Sequence, residues 1–268
     1  MWARVTATYL YPVKACAPLR VASLAFTSAG EISGDREWVV VDADDRITWS
    51  GAIPALARIL PHGWPDRPAI ASDAGDAVPL PPPSHGAPRT IHSWNGQRQA
   101  FDALEGRDAG DKVADFASAI AGQRIRLVHL TTTAHHPNPV HVVTDASLRV
   151  LAAALERNTD LLRFRPNVVL SGDGDALPPF VEEQATALRC EPAHARLELH
   201  VTGPCERCVV INVDPASGAL DADYLKTVVA QSRTRRAATA PLFGVYARAA
   251  GAGALATGDR VEIVIPEG

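Results

Sequence analysis

At 268 residues and 47% hydrophobic content, the chain is too apolar to be largely disordered and long enough for one or two domains. Its formal net charge of −4 excludes the large positive excess expected of a general nucleic-acid or polybasic-membrane binder. Four cysteines are too sparse for a disulfide scaffold, no apolar run approaches the ~20 residues of a membrane helix, and the N-terminus lacks a signal-peptide pattern, so a cytoplasmic chain with reduced thiols is expected.

The first half reads as short strands. ATYLYPV, LRVASLAFT and REWVVVD are rich in β-branched and aromatic residues, and DADDR marks a hairpin tip before ITWS. Residues 65–90 hold seven of the 21 prolines, a density that excludes a helix and predicts an irregular excursion before strand-like sequence resumes at TIHSW. RDAGDKVADFASAIAGQ predicts a helix from the spacing of Val113, Phe116 and Ile120. RIRLVHL follows as a strand and TTTAHHPNPV as a loop. TDASLRVLAAALER predicts a second helix, capped by Thr144 or Asp145, with Leu148, Leu151 and Leu155 on one face. FRPNVVLSG, ARLELHVTG and CVVINV read as strands, DADYLKTVVAQS as a helix with Asp221 as its N-cap, and FGVYARA and DRVEIVI as closing strands. The expected class is α+β and β-dominated: a smaller all-β unit, then a barrel carrying helices.

Chemistry concentrates in GPCERC. Cys205 and Cys208 could ligate zinc, shuttle a disulfide, hold a metal cofactor or pack inertly. A structural zinc site needs four ligands, and Cys16 and Cys190 stand far away in sequence. A thioredoxin-like pair wants a helix start, whereas this one runs into CVVINV. Inert packing is the plain alternative for two small apolar residues. Against it stands Arg207, a cation beside Cys208 that favours the thiolate, a soft metal ligand. Lys14, Arg36 and Arg165 each read singly as solvated strand-end charges. Together they suit an anionic, phosphate-bearing ligand.

YPVKACAPLRV, GDREWVVVD, FRPN, CxRCxxxxVDPxxG and PLFGxY, in this order and with the helical segments between them, resemble the molybdenum-cofactor-sulfurase C-terminal (MOSC) domain proteins. Within them, the chain is similar to the branch of the mitochondrial amidoxime reducing component and its bacterial relatives. The resemblance implies an N-terminal MOSC-type β-barrel-like domain over residues 1–125 and a C-terminal MOSC β-barrel with flanking helices over 126–268, with a cofactor site between them. It implies a molybdenum–pyranopterin cofactor (Moco) whose metal takes one protein thiolate, Cys208, with Cys205 supporting the turn. It also implies cofactor contacts from Lys14, Arg36, Arg165, Asn167, Arg207 and Tyr246, with Asn138 as a candidate from the loop and free N–H groups at the helix beginning near Thr144.

Two departures stand out. Ala15 replaces the serine that follows the lysine in relatives, and HHPNPVHVV replaces an acidic or hydroxyl-rich loop, leaving His135 and His136 as either solvated loop residues or proton donors. The cysteine spacing of a fused plant-type iron–sulfur domain is absent. The activity implied is reduction of N-hydroxylated small molecules, with electrons from a separate donor protein (ferredoxin, flavodoxin, or a cytochrome b5-like protein with its reductase) and no nucleic-acid or membrane partner. The alternatives are a carrier of the cofactor or of sulfur, and a relative acting through interactions alone.

Overall fold

The protein is described by a computed structural model over residues 1–131, 140–191 and 197–266. The first strand, Trp2–Leu10, shows why a barrel forms: Ala3, Val5 and Ala7 are buried while Arg4 and Thr6 face water. It pairs antiparallel with Val168–Gly172 on one side and Arg260–Val264 on the other. From there the sheet continues through Ala187–Glu191, Leu197–Glu206, Leu242–Ala249 and Val140–Thr144, which runs parallel to Val168–Gly172 and closes a ring of seven strands. Closure removes the edges an open sheet would expose. Val5, Val142, Leu170, Leu199, Val245 and Ile263 belong to the cluster that fills it.

A second body is a four-stranded antiparallel sheet in the order Trp38–Val41, Arg126–Leu130, Ala100–Asp108, Ala87–Asn95. Helix α1 (Asp111–Ala121) lays Val113, Ala117 and Ala121 into a core with Trp38, Val40, Leu56 and Leu127, and ends at Gly122 in the left-handed region. The expected boundary at residue 125 cuts across this pairing. Trp2–Leu10 lies in the barrel of the second half, Arg126–Leu130 lies in the sheet of the first, and Ser23–Phe26 pairs with Gly253–Ala256. Segments of both halves are therefore paired with one another through backbone hydrogen bonds.

Helix α2 (Asp145–Ala154) is capped by Thr144, whose Oγ1 accepts from the Ser147 N–H at 3.2 Å, and it buries Leu148 and Leu151. Helix α3 spans Asp223–Arg236, four residues longer than expected at its C-terminal end. Its N-cap is Ala222; Asp221 sits one residue earlier and accepts from the Asp223 N–H at 3.2 Å. No helix among the described residues is long and apolar enough to cross a membrane.

Two further expectations are corrected, and one strand was not foreseen. CVVINV is not a strand: the barrel strand ends at Glu206, opposite Leu242, and Val209–Asn212 form a 3-10 turn with only Ile211 buried. β-branched residues favour a strand only where a free edge offers pairing, and none is left here. The proline-rich stretch is more ordered than expected, because Leu60–His62, Ala69–Ala71 and Ala77–Pro79 form a small antiparallel meander. The strand Ala100–Asp108, whose alternation is mostly polar, gave no sequence signal.

Candidate functional site

Between the barrel and the second body lies a cleft of about 350 Å³. Lys14, Arg36, Arg165, Arg207, Cys208 and Tyr246, six residues singled out from sequence, line it together. Lys14 follows the first barrel strand, and its N–H donates to the Trp38 carbonyl at 2.8 Å, tying the lysine turn to the second body. Arg36 and Arg165 both take left-handed backbone, at φ 56° and 52°. Both guanidinium groups lie over the ring of fully buried Tyr11, Arg165 at 4.3 Å and Arg36 at 5.1 Å. Arg165 also donates to the Cys16 carbonyl at 2.7 Å, and Arg36 is ion-paired with buried Asp35.

The electrostatics of this arrangement point to an anion. Four cations line the cleft, against Glu206 at its rim and Asp35 behind Arg36. Burial, and then the neighbouring Arg36 charge, hold the Lys14 ammonium below its ordinary pKa. Burial does the same to Arg165, with Arg36 adding to the effect. Among the described residues no carboxylate pairs with Lys14. A bound anion removes the cost of holding these charges together, so the residues fit a phosphate-bearing group.

Arg207 joins this basic wall to the cysteines. Its N–H donates to the Pro241 carbonyl at 2.7 Å and its Nη2 to the Phe164 carbonyl at 2.8 Å. Its Nη1 donates to the Cys205 Sγ at 2.6 Å. Cys205 is fully buried behind Arg207, whereas Cys208 is exposed at the start of the 3-10 turn and is among the residues lining the cleft. The two cysteines thus occupy unlike environments. Among the described residues no three His, Cys, Asp or Glu side chains cluster as a metal site, so a four-ligand zinc centre is not assembled there.

Asn167 does not line the cleft. It is completely buried; its Oδ1 accepts from the His141 N–H and its Nδ2 donates to the Tyr9 carbonyl, both at 3.1 Å, with a longer contact to Asp35 at 3.4 Å. It braces the strands that carry the site. At the start of α2, expected to offer free N–H groups, the Ser147 N–H is taken by the Thr144 hydroxyl and the Thr144 N–H by Glu182. The buried Glu182 carboxylate accepts from the Thr144 hydroxyl at 2.9 Å, the Ser147 hydroxyl at 3.0 Å and the Thr144 N–H at 3.4 Å. Asn138, His135 and His136 lie outside the described residues.

Sequence reasoning missed His141, Trp49 and Asp35. His141 is 3% exposed and lines the cleft, with Nε2 3.4 Å from Arg207 Nη1 and Nδ1 3.4 Å from the Arg165 carbonyl. Burial, then the Arg207 charge, hold it well below the ordinary histidine pKa, so the ring is neutral near pH 7. A single histidine within the apolar run VHVV gave no signal, since its partners are 24 and 66 residues away.

Residues 129–262 match the MOSC domain, and residues 2–124 match the MOSC N-terminal beta barrel domain. Mitochondrial amidoxime reducing component 2 of Rattus norvegicus is 27% identical over 292 residues, spanning 96% of this chain and 82% of that protein. Mitochondrial amidoxime-reducing component 1 of Homo sapiens is 25% identical over 290 residues, spanning 97% and 82%. Molybdenum cofactor sulfurase of Drosophila grimshawi is 27% identical over 252 residues, spanning 88% of this chain and 31% of the sulfurase. With both of its domains matched in order, the chain belongs to the MOSC domain family.

Proposed function

We propose that this protein is a molybdenum-cofactor-dependent reductase of N-hydroxylated compounds such as amidoximes, hydroxylamines and N-hydroxylated bases. The observation that carries the proposal is the exposed Cys208 thiol, set beside Arg207 in a cleft of four cations. Similarity to proteins named as amidoxime reducing components supports the substrate class. When bound, the cofactor supplies the two-electron chemistry that, with two protons, turns an N–OH group into N–H and water.

The chain's own residues do the rest. Cys208 holds the metal as thiolate, and Lys14, Arg36 and Arg165 hold the phosphate. Arg207 keeps positive charge beside the thiolate, and its bonds to Phe164 and Cys205 hold the guanidinium in place. Neutral His141 and Tyr246 complete the wall without adding charge. Ala15, where relatives carry serine, offers no hydroxyl to the phosphate and takes left-handed backbone at φ 71°. A separate electron-transfer protein delivers the electrons.

A second proposal, a carrier of the cofactor or of sulfur, rests on the similarity to molybdenum cofactor sulfurase and on the same exposed thiol. Expression in a molybdenum-cofactor-competent host, with metal analysis of wild type and Cys208→Ser, tests the site. One molybdenum per chain that disappears in the variant is expected; equal metal in both refutes the ligand assignment. Loaded wild type that fails to reduce an amidoxime with a chemical electron donor shifts the assignment to the carrier.

A further inference from the structure

The mouth of the cleft carries a feature that the cofactor-binding residues do not explain. Trp49 lines the cleft and is 41% exposed, although an indole in water forgoes more burial than almost any other side chain. Its neighbours Thr48 and Ser50 are both buried, and its carbonyl accepts from the N–H groups of Ala52 and Ile53, each at 3.0 Å. The backbone on either side of the indole is therefore anchored.

Gly51 shows how the ring lies. A Cβ at this position would stand 2.5, 2.7 and 2.8 Å from Cζ3, Cη2 and Cε3 of Trp49. The benzo ring of the indole packs against Gly51, while the residue as a whole keeps 41% of its surface exposed. Real Cβ atoms do not approach so closely, so any residue but glycine would lift the ring.

A tryptophan seated on a glycine at the mouth of a cationic cleft is a stacking platform. We infer that Trp49 selects the substrate of this site: N-hydroxylated compounds conjugated to a planar aromatic or heteroaromatic ring stack on the indole, and aliphatic ones do not. The inference rests on the reductase proposal for the identity of the reacting group, but not for the stacking. Trp49 and exposed Cys208 both line this cleft.

The test compares benzamidoxime with acetamidoxime on metal-loaded wild type, Trp49→Ala, Trp49→Phe and Gly51→Ala. The ratio of kcat/KM for the aromatic over the aliphatic substrate is expected to fall about two- to thirteenfold in Trp49→Ala, the range of one aromatic pair, with the change in KM. Trp49→Phe should restore most of the ratio. Gly51→Ala, which keeps the indole but displaces it, should lower the ratio in the same direction. Equal losses for both substrates, or loss of molybdenum from Trp49→Ala, would overturn the inference, the latter because the indole would then be part of the cofactor's seat. Quenching of tryptophan fluorescence by benzamidoxime, compared with acetamidoxime and with Trp49→Phe, needs no turnover. If neither compound is reduced, the reductase proposal falls and this titration decides the platform: quenching by the aromatic compound that Trp49→Phe abolishes sustains it, and its absence refutes it.

Discussion

Replacing Asn167 with alanine tests the claim that the cationic cleft is held by a buried polar brace. The amide joins three separate segments of the chain, at Tyr9, Asp35 and His141, and none of it reaches solvent. Truncation leaves the His141 N–H and the Tyr9 carbonyl without their side-chain partner in positions that are 3% and 8% exposed. Each buried group so orphaned costs about 1–3 kcal/mol, and the carbonyl keeps a second lone pair, so a total near 3 kcal/mol is expected. The 3.4 Å contact with Asp35 adds little. For a chain of this size that loss lowers Tm by roughly 6–12 °C. Thermal unfolding followed by far-UV circular dichroism, in parallel with metal analysis of the loaded protein, provides the measurement. A Tm change below about 2 °C accompanied by loss of molybdenum would refute the brace and make Asn167 a direct cofactor contact.

Two further outcomes follow from buried groups. Burial raises the Glu182 pKa above its ordinary value of 4.5, so ionising it costs the native state; its contribution is full below that value and is lost as pH rises through the raised pKa. The Tm of Glu182→Gln relative to wild type should therefore climb between pH 5 and pH 8, and a flat difference would contradict the argument. Gly244 sits at φ +71°, with the Val142 carbonyl and the His141 Nε2 each 2.7 Å from where a Cβ would stand. Gly244→Ala should lose about 2 kcal/mol or more in urea unfolding, because both the backbone conformation and the space are denied to a side chain.

How far the site was legible depended on what each residue does. Lys14, Arg36, Arg165, Arg207 and Cys208 carry charge or a thiol in short distinctive strings, and the cleft gathers all five. Asn167 was legible as a special residue, yet whether it faces a ligand or the backbone depends on which strands flank it. His141 and Trp49 were invisible for the same reason: a histidine in an apolar run and a tryptophan after a hairpin are ordinary until their neighbours are known. At the α2 N-terminus the cap was visible in TDAS, whereas Glu182, which accepts from Thr144, comes 38 residues later.

Local patterning alone determined the secondary structure of most of the chain. Runs rich in β-branched and aromatic residues marked the strands, helical spacing and capping specified α1 and α2, and proline density excluded a helix from 65–90. These signals live within a few residues of one another and survive without knowledge of the rest. Tertiary structure decided what CVVINV becomes, because a strand needs a free edge and the closed barrel offers none there. It also decided that the first strand joins the last ones, and that Arg126–Leu130 returns to the sheet of the first half. That interleaving brings Lys14 and Arg36 against Arg165 and Arg207. The resulting repulsion is a property of charges close in space, and it makes the cleft a place for an anion.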